Sequence, residues 1–450
     1  MARSDSSVAD PAAIVKTSGR ILLTTVSREP GLYDYFRENA PENFRWRFRM
    51  PRRISFGLRF LRQNIPELKI LEYPTRAEFS RVLREGWDAV GFSFYLEETP
   101  RILQMAEDAR RAGVKQLWAG NYGALTPSVQ PNFDKVFTSY AEQEVAEIVG
   151  KKIESIQHPP LVVEFRLPGG WPLPVGVLFT ARGCSFQCTF CQTTSFAPRP
   201  LAVPLESLER VIRFYADHGV QYVLILDENF GNLPRHAEAV IELLARYRMR
   251  WLVQSRVDLF LRNFDRWVEL GMEGALFGIE SFHQDVLKQI RKNEKEGTSR
   301  ELAERLNRTG LYAQGYYIIG FPTETEESIR EDLRTLASLQ LDVTQITIVT
   351  PHPQTQLWRD VESNFGMVDR DWAKYDTKHM VWNHPHCRPG ALESLLKEGF
   401  ELCYGPGWTP RVVRKFAGRR WAKRDWLEMI PGPLAARWAA PWRLPYFAAH

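Results

Sequence analysis

Short apolar runs alternate with amphipathic stretches along most of the chain, and their spacing assigns them in turn to strands and helices. ILLTTV (21–26), LKILEYP (68–74), WDAVGFSFY (87–95), KQLWAG (115–120) and KVFTSY (135–140) each read as a short strand. Between them, AEFSRVLREG (77–86) sets Phe79, Val82 and Leu83 at helical spacing, and PRILQMAEDARRAG (100–113) continues the pattern. A long irregular insertion separates the first two strands. Strands that are apolar throughout, alternating with helices, indicate a parallel sheet covered on both faces. Residues 20–157 are therefore expected to form a Rossmann-like domain, preceded by a polar, flexible leader over 1–19.

The proline-rich stretch HPPLVVEFRLPGGWPLP (158–174) reads as a linker. Beyond it the alternation resumes with VGVLFTAR, QYVLILDEN, RWLVQSRVD, GALFGIES, YAQGYYIIGF and VTQITIVTP. Helical segments such as LESLERVIRFYADHG (205–219) and AEAVIELLARYR (237–248) lie between these strands. Over 175–355 this pattern predicts a partial (β/α)6 barrel, with ligands at the carboxyl ends of its strands. Residues 356–450 read as a helical, tryptophan-rich segment with a proline-broken apolar end. The fold class is α/β.

Composition narrows the setting. The chain is 44 % hydrophobic and 25 % charged, an ordinary globular balance. No run approaches the roughly 20 apolar residues of a membrane-spanning helix. The leader lacks the apolar core of a signal peptide, which points to the cytoplasm, where thiols stay reduced. A net charge of +5 does not indicate nucleic acid. FRWRFRMPRR (44–53) and RVVRKFAGRRWAKR (411–424) are locally basic. Solvated surface with arginine stems over aromatic rings is their plain reading; contact with an anionic substrate or a membrane face is the sharper one. The end of the chain, 426–450, reads as a helical pack against the barrel, with shallow membrane-surface contact as the minor alternative.

Three of the five cysteines fall in ARGCSFQCTFCQ (181–192), spaced as Cys184-x-x-x-Cys188-x-x-Cys191. Their odd total and their bunching argue against a disulfide framework. A structural zinc site takes four ligands, often as two separated pairs, so three thiolates on one loop suit it poorly. They suit a four-iron cluster, where each thiolate holds one iron and the fourth stays open to a small ligand. His379, HPHC (384–387) and Cys403 offer a second metal reading, but adjacent groups such as His386 and Cys387 point apart. Packing and turn roles are the reading retained for them.

The CxxxCxΦC pattern after the first strand of a six-strand partial barrel, with Phe190 as its aromatic, resembles the radical S-adenosylmethionine (radical SAM) superfamily. The resemblance implies a 4Fe-4S cluster on Cys184, Cys188 and Cys191, whose open iron chelates S-adenosylmethionine. It implies cleavage of that cofactor to a 5′-deoxyadenosyl radical, with electrons from a donor such as flavodoxin or ferredoxin. Further S-adenosylmethionine contacts are implied at successive strand ends: Asp227, Glu228 and Asn229, then Ser255 and Arg256, then Glu280 and Ser281, then Ile318, and last Pro351.

A Rossmann-like domain before such a barrel resembles the cobalamin-binding branch of the superfamily. That likeness places cobalamin near Ser93, Phe94, Tyr95, Gly120 and Asn121. The branch's AspxHisxxGly motif is absent and the first histidine in the chain is His158, so no histidine of this domain can ligate cobalt. Either cobalamin binds without such a ligand, or the domain only shapes the substrate pocket. The segment 374–406 resembles the tail of hopanoid methylases and anaerobic magnesium-porphyrin ester cyclases. The implied activity is methylation of an unreactive carbon on a small, hydrophobic or natural-product substrate. In it, one S-adenosylmethionine makes the radical and another supplies the methyl group. Cyclisation, rearrangement or oxidation without methyl transfer is the alternative, and a non-catalytic zinc-binding protein is the rival from another class.

Overall fold

The computed structural model describes residues 19–28, 54–166 and 172–417. The leader before residue 19, the basic patch at 44–53 and the terminal segment from 418 lie outside the described residues.

Five strands form the first sheet: β1 (Ile21–Thr25), β2 (Lys69–Leu71), β3 (Ala89–Ser93), β4 (Gln116–Gly120) and β5 (Lys135–Val136). All pairs are parallel, in the order β2-β1-β3-β4-β5. Phe79, Val82, Ile102 and Met105, from helices α2 (Arg76–Leu83) and α3 (Thr99–Arg111), cover one face. The other is covered by Leu58, Val145 and Ile148, from α1 (Phe56–Asn64) and α4 (Glu142–Ile148). Helix α1 falls in the insertion that was expected to be irregular. Ser55 caps it by accepting from the Leu58 amide, and Phe60 seats on Leu161 and Val177 of the second sheet. Strand order reverses between β1 and β3, so a crevice opens beyond their carboxyl ends, at Thr25 and Ser93.

The second sheet contains the six expected parallel strands: β7 (Pro172–Leu178), β10 (Tyr222–Ile225), β11 (Arg250–Ser255), β12 (Met272–Glu280), β13 (Tyr312–Ile319) and β14 (Val343–Ile348). It also holds β6 (Leu161–Arg166), antiparallel to β7, inside the stretch read as a linker. The run LVVEF is a strand despite its flanking prolines, because β6 lies at the sheet edge, where a neighbouring proline interrupts no ladder. A two-residue ribbon, β8 (Ala181–Arg182) with β9 (Leu201–Ala202), stands apart.

Helices cover the convex face. Val211, Val240, Phe260, Leu302 and Leu333 join Val223, Val253, Phe277 and Ile319 in one core. Burying each such side chain stabilises the fold by about 1.5–3 kcal/mol. Burial alternates strictly along β13: Ala313, Tyr317 and Ile319 pack under the helices, while Tyr312, Gln314, Tyr316 and Ile318 are half-buried on the concave side. C-terminal helices close one flank, with Leu392, Leu395 and Phe400 entering the same core.

Candidate active site

The cysteine loop leaves β8, passes through a short helix, α5 (Thr193–Phe196), and returns through β9. The pairs Ala181–Ala202 and Arg182–Leu201 close it at its base. Gly183 turns the chain with φ +84°, and a Cβ there would lie 2.6 Å from the carbonyl oxygens of Ala197 and Arg199. The Cys184 amide donates to Ala197 O at 3.0 Å. Thr189 anchors the middle, its amide on Ile290 O at 3.0 Å and its carbonyl accepting from Leu357 N at 2.9 Å. Phe190 packs edge-on to Phe321.

Cys184, Cys188 and Cys191 are all free and half-buried. Burial raises the Cys184 thiol and pushes that of Cys188 up to about 11, against the pull of the Lys292 and Arg256 charges on Cys188. No three Cys, His, Asp or Glu side chains among the described residues converge on a single metal ion.

The strand-end residues divide into those that build the rim and those left with unmet polar atoms. Asp227 accepts from Thr180 N at 2.6 Å, Thr180 Oγ1 at 2.5 Å and Ala181 N at 3.1 Å. Burial pushes its carboxyl up to about 7 against those three bonds. Glu228 accepts from Gly183 N at 3.0 Å and from the Tyr140 hydroxyl. Asn229 accepts from Ser255 Oγ at 3.2 Å and Arg256 N at 3.0 Å. Ser281 Oγ accepts from His283 N at 3.1 Å. Pro351 is buried just after β14, and Ile318 lies half-buried on the concave face.

Next to this rim sits a buried charge cluster that periodicity did not reveal. Lys292 Nζ contacts Glu280 at 3.0 Å and Glu294 at 3.9 Å, and Arg256 reaches Glu294 at 3.4 Å. Burial lowers the Lys292 ammonium, but the Glu280 and Glu294 carboxylates outweigh it and hold the group above its ordinary value. Arg256 also lies 4.1 Å over the Phe186 ring, within the cysteine loop. Asn229 Nδ2, Arg256 Nη1, Gln192 Nε2 and both Glu294 carboxylate oxygens are buried with no hydrogen-bond partner among the described residues. Buried orphans of both signs are costly unless a ligand meets them. Together they suit a zwitterion with a ribose, which is the polar half of S-adenosylmethionine. Lys292 and Glu294 stand in RKNEK, and no sequence signal marked them.

The first sheet brings its own rim against this site. Tyr122 Oη lies 3.0 Å from Thr193 Oγ1, and Arg182 pairs with Glu142 at 2.8 Å in a buried contact. The Arg182 guanidinium lies 3.8 Å over Phe60 and 4.6 Å over Tyr140. Leu125, Phe196 and Ala197 seal the seam. At the carboxyl edge Ser93 is paired to Gly120, and Tyr95, 48 % exposed, stacks on Tyr122. The Phe94 side chain is wholly buried against Phe133, so only its backbone can meet a ligand. Asn121 holds φ +71°, a conformation rare outside glycine, of the strained kind concentrated at functional sites. The Thr99 and Thr126 hydroxyls are buried there without partners among the described residues. An exposed aromatic after β3, a strained backbone after β4 and orphan hydroxyls in the segments that follow these two strands fit a large cofactor such as cobalamin. His158 cannot serve it: Nε2 accepts from Phe179 N at 2.9 Å and Nδ1 faces Pro159 O at 2.6 Å.

Both ring nitrogens of His384 are engaged within the chain. His384 Nδ1 accepts from the amides of His386 and Cys387, and Nε2 bonds Phe321 O at 3.0 Å. Cys387 and Cys403 pack into the core of the second sheet. Within the described part of the 411–424 patch, Arg411 bonds the carbonyls of Gln340 and Leu341, and Lys415 pairs with Asp342 at 2.6 Å.

Residues 178–336 match the Radical SAM superfamily. An uncharacterized methyltransferase of Pyrococcus horikoshii is 30 % identical over 54 % of this chain and 53 % of its own length. Bacteriochlorophyllide d C-8(2)-methyltransferase of Chlorobaculum tepidum is 21 % identical over 73 % of this chain and 80 % of its own. The methyltransferase TsrM of Kitasatospora setae, solved with cobalamin and a [4Fe-4S] cluster, shares the fold with a TM-score of 0.61 at 14 % identity, over 88 % of each chain. Relatives also include a hopanoid C-3 methylase and anaerobic magnesium-protoporphyrin IX monomethyl ester cyclases. The chain spans about half the length of several curated relatives it matches. No helix among the described residues is long and apolar enough to cross a membrane.

Proposed function

We propose that this protein methylates an unreactive carbon of a small molecule, using S-adenosylmethionine, a cluster on Cys184, Cys188 and Cys191, and cobalamin at the rim of the first sheet. One observation carries the reading: Tyr122–Thr193, Tyr140–Glu228 and Arg182–Glu142 fasten the rim of one sheet against the cysteine loop of the other. When bound, these cofactors supply the electron, the radical source and the methyl carrier. The chain's own residues bind and orient. Arg256 Nη1 and Asn229 Nδ2 offer donors to a carboxylate, and Glu294, whose Oε1 is ion-paired with Arg256 and Lys292, offers Oε2 to a ribose hydroxyl or an ammonium. Asp227 and Glu228 hold the base of the loop, and Tyr95 and Asn121 front the crevice of the first sheet. Flavodoxin or ferredoxin would serve as electron donor.

The test is anaerobic reconstitution with iron, sulfide and cobalamin, followed by incubation with S-adenosylmethionine and a reductant. Formation of both 5′-deoxyadenosine and S-adenosylhomocysteine, the latter only with cobalamin present, supports methyl transfer. 5′-Deoxyadenosine alone favours the cyclase-type reading, for which the cyclase relatives speak. Neither product, with zinc in place of iron, sinks both.

A further inference from the structure

A barrel interior that is only a packed core carries layers of branched aliphatic side chains. The concave face of this sheet mixes such residues, Leu224, Leu252, Leu276, Val343 and Ile318, with amides, tyrosines and a threonine. Following the strand register upward, Leu224 and Leu252 lie near Gly274 and Tyr312. Gln254 pairs with Leu276, Leu276 with Gln314, and Gln314 with Val343. Above them come Gly278, Tyr316 and Gln345, then Ile318 and Thr347. Gln254, Gln314, Tyr316, Gln345 and Thr347 are all half-buried, so water or a ligand reaches them, while their strand neighbours pack under the helices.

Part of this wall is organised by the protein itself. Tyr312 Oη donates to Gln314 Oε1 at 2.8 Å, and Gln314 Nε2 donates to Tyr316 Oη at 3.2 Å. Gly274 makes room for this ladder, since a Cβ there would lie 2.6 Å from that of Tyr312. Gln254 and Gln345, on either side of it, have no protein hydrogen-bond partner for their amides among the described residues. Each primary amide presents a donor and an acceptor side by side. A hydrocarbon set against them would strip their water and return nothing, the least favourable outcome for a half-buried polar group.

We propose that this concave face is the substrate chamber and that it selects a molecule carrying a donor and an acceptor side by side, such as an amide, a lactam or a heteroaromatic ring, rather than a hydrocarbon. The proposal rests on the methylation reading for its assumption that the substrate approaches the barrel. A wall built to hydrogen-bond its ligand rejects the analogue that lacks those groups far more strongly than an apolar wall rejects a polar one.

The test is ligand-observed saturation-transfer NMR on the full-length reconstituted protein, with 2-pyridone and toluene as probes of similar size. The expected result is transfer to 2-pyridone and little to toluene. The near-isosteric Gln254→Leu/Gln345→Leu double variant should weaken 2-pyridone about tenfold and leave the Tm unchanged. If the double variant fails to fold, Gln345→Glu, which keeps the acceptor and loses the donor, should show part of the same loss. Equal or better transfer to toluene in the wild-type protein, or 2-pyridone binding indifferent to these variants, overturns the proposal. S-adenosylhomocysteine formation is scored separately, so loss of the chamber proposal and loss of the methylation reading give different results.

Discussion

Arg182 and Glu142 meet at 2.8 Å with 8 % and 4 % of their side chains exposed, joining the cysteine loop of one sheet to a helix of the other. The guanidinium is further enclosed by the rings of Phe60 and Tyr140. Removing one partner strands a buried charge, whereas removing both need not. Glu142→Leu is expected to cost about 3–5 kcal/mol in urea unfolding. Arg182→Met/Glu142→Leu should recover most of that loss. A single variant within about 0.5 kcal/mol of wild type, the range of an inconsequential surface change, would mean the pair is not a fastening.

Gly183 offers a more local probe. A methyl at φ +84° would press on two carbonyl oxygens at the base of the loop. Gly183→Ala should lower the Tm and reduce reconstituted iron well below the about four atoms per chain of a complete cluster. Full iron content in this variant would show that the loop's shape is not needed to hold it.

Cys188→Ala should abolish the visible absorbance of protein reconstituted with iron and sulfide alone, and its S-adenosylmethionine cleavage, with a small effect on folding because the thiol is only half-buried. Metal analysis decides the matter: zinc held in place of iron and sulfide by the wild-type chain would count against a cluster.

Arg256 has a guanidinium nitrogen left without a partner beside the strand rim. Arg256→Lys keeps the charge and loses the planar fork. S-adenosylmethionine binding, measured by equilibrium dialysis, should weaken about tenfold or more, the value of one hydrogen bond to a charged group. Unchanged affinity would remove Arg256 from the site.

His158 gives the pH prediction. Burial pushes its imidazole down to about 3, and both ring nitrogens are engaged as a neutral ring. The unfolded chain takes up this proton near pH 6.5, so below that pH it binds more protons than the folded one. The stability linked to His158 is whole above about 6.5 and is lost progressively as pH falls toward 3, by at most about 1.4 kcal/mol per pH unit. Between pH 7.5 and 5.5, His158→Gln should lose less stability than wild type in urea midpoints. Equal losses would show that the ring is not held neutral.

Much of this molecule was legible because apolar strand runs and a closely spaced thiol loop are local signals. Strands β1, β3, β4, β7 and β10–β14 stand where their hydrophobic runs put them. What sequence reading missed depends on contacts between distant residues. The edge strand β6 looked like a linker, since prolines flank it and its pairing partner cannot be read locally. Helix α1 lay within an insertion read from the sequence as irregular. Lys292 and Glu294 are polar residues in a polar run, and their burial follows from the strand rim folding over them. Asp227 was legible as a strand-end acid, but its contacts with Thr180 and Ala181, which brace the base of the loop, were not.

The ribbon formed by β8 and β9 bears on how the loop is held closed. Its two backbone pairs bring the ends of the cysteine loop together using main-chain bonds alone. Closing a loop has an entropic cost set by its length, whatever later occupies it. Here β8 and β9 meet part of that cost with the chain's own hydrogen bonds, so it does not fall wholly on what the three thiols hold.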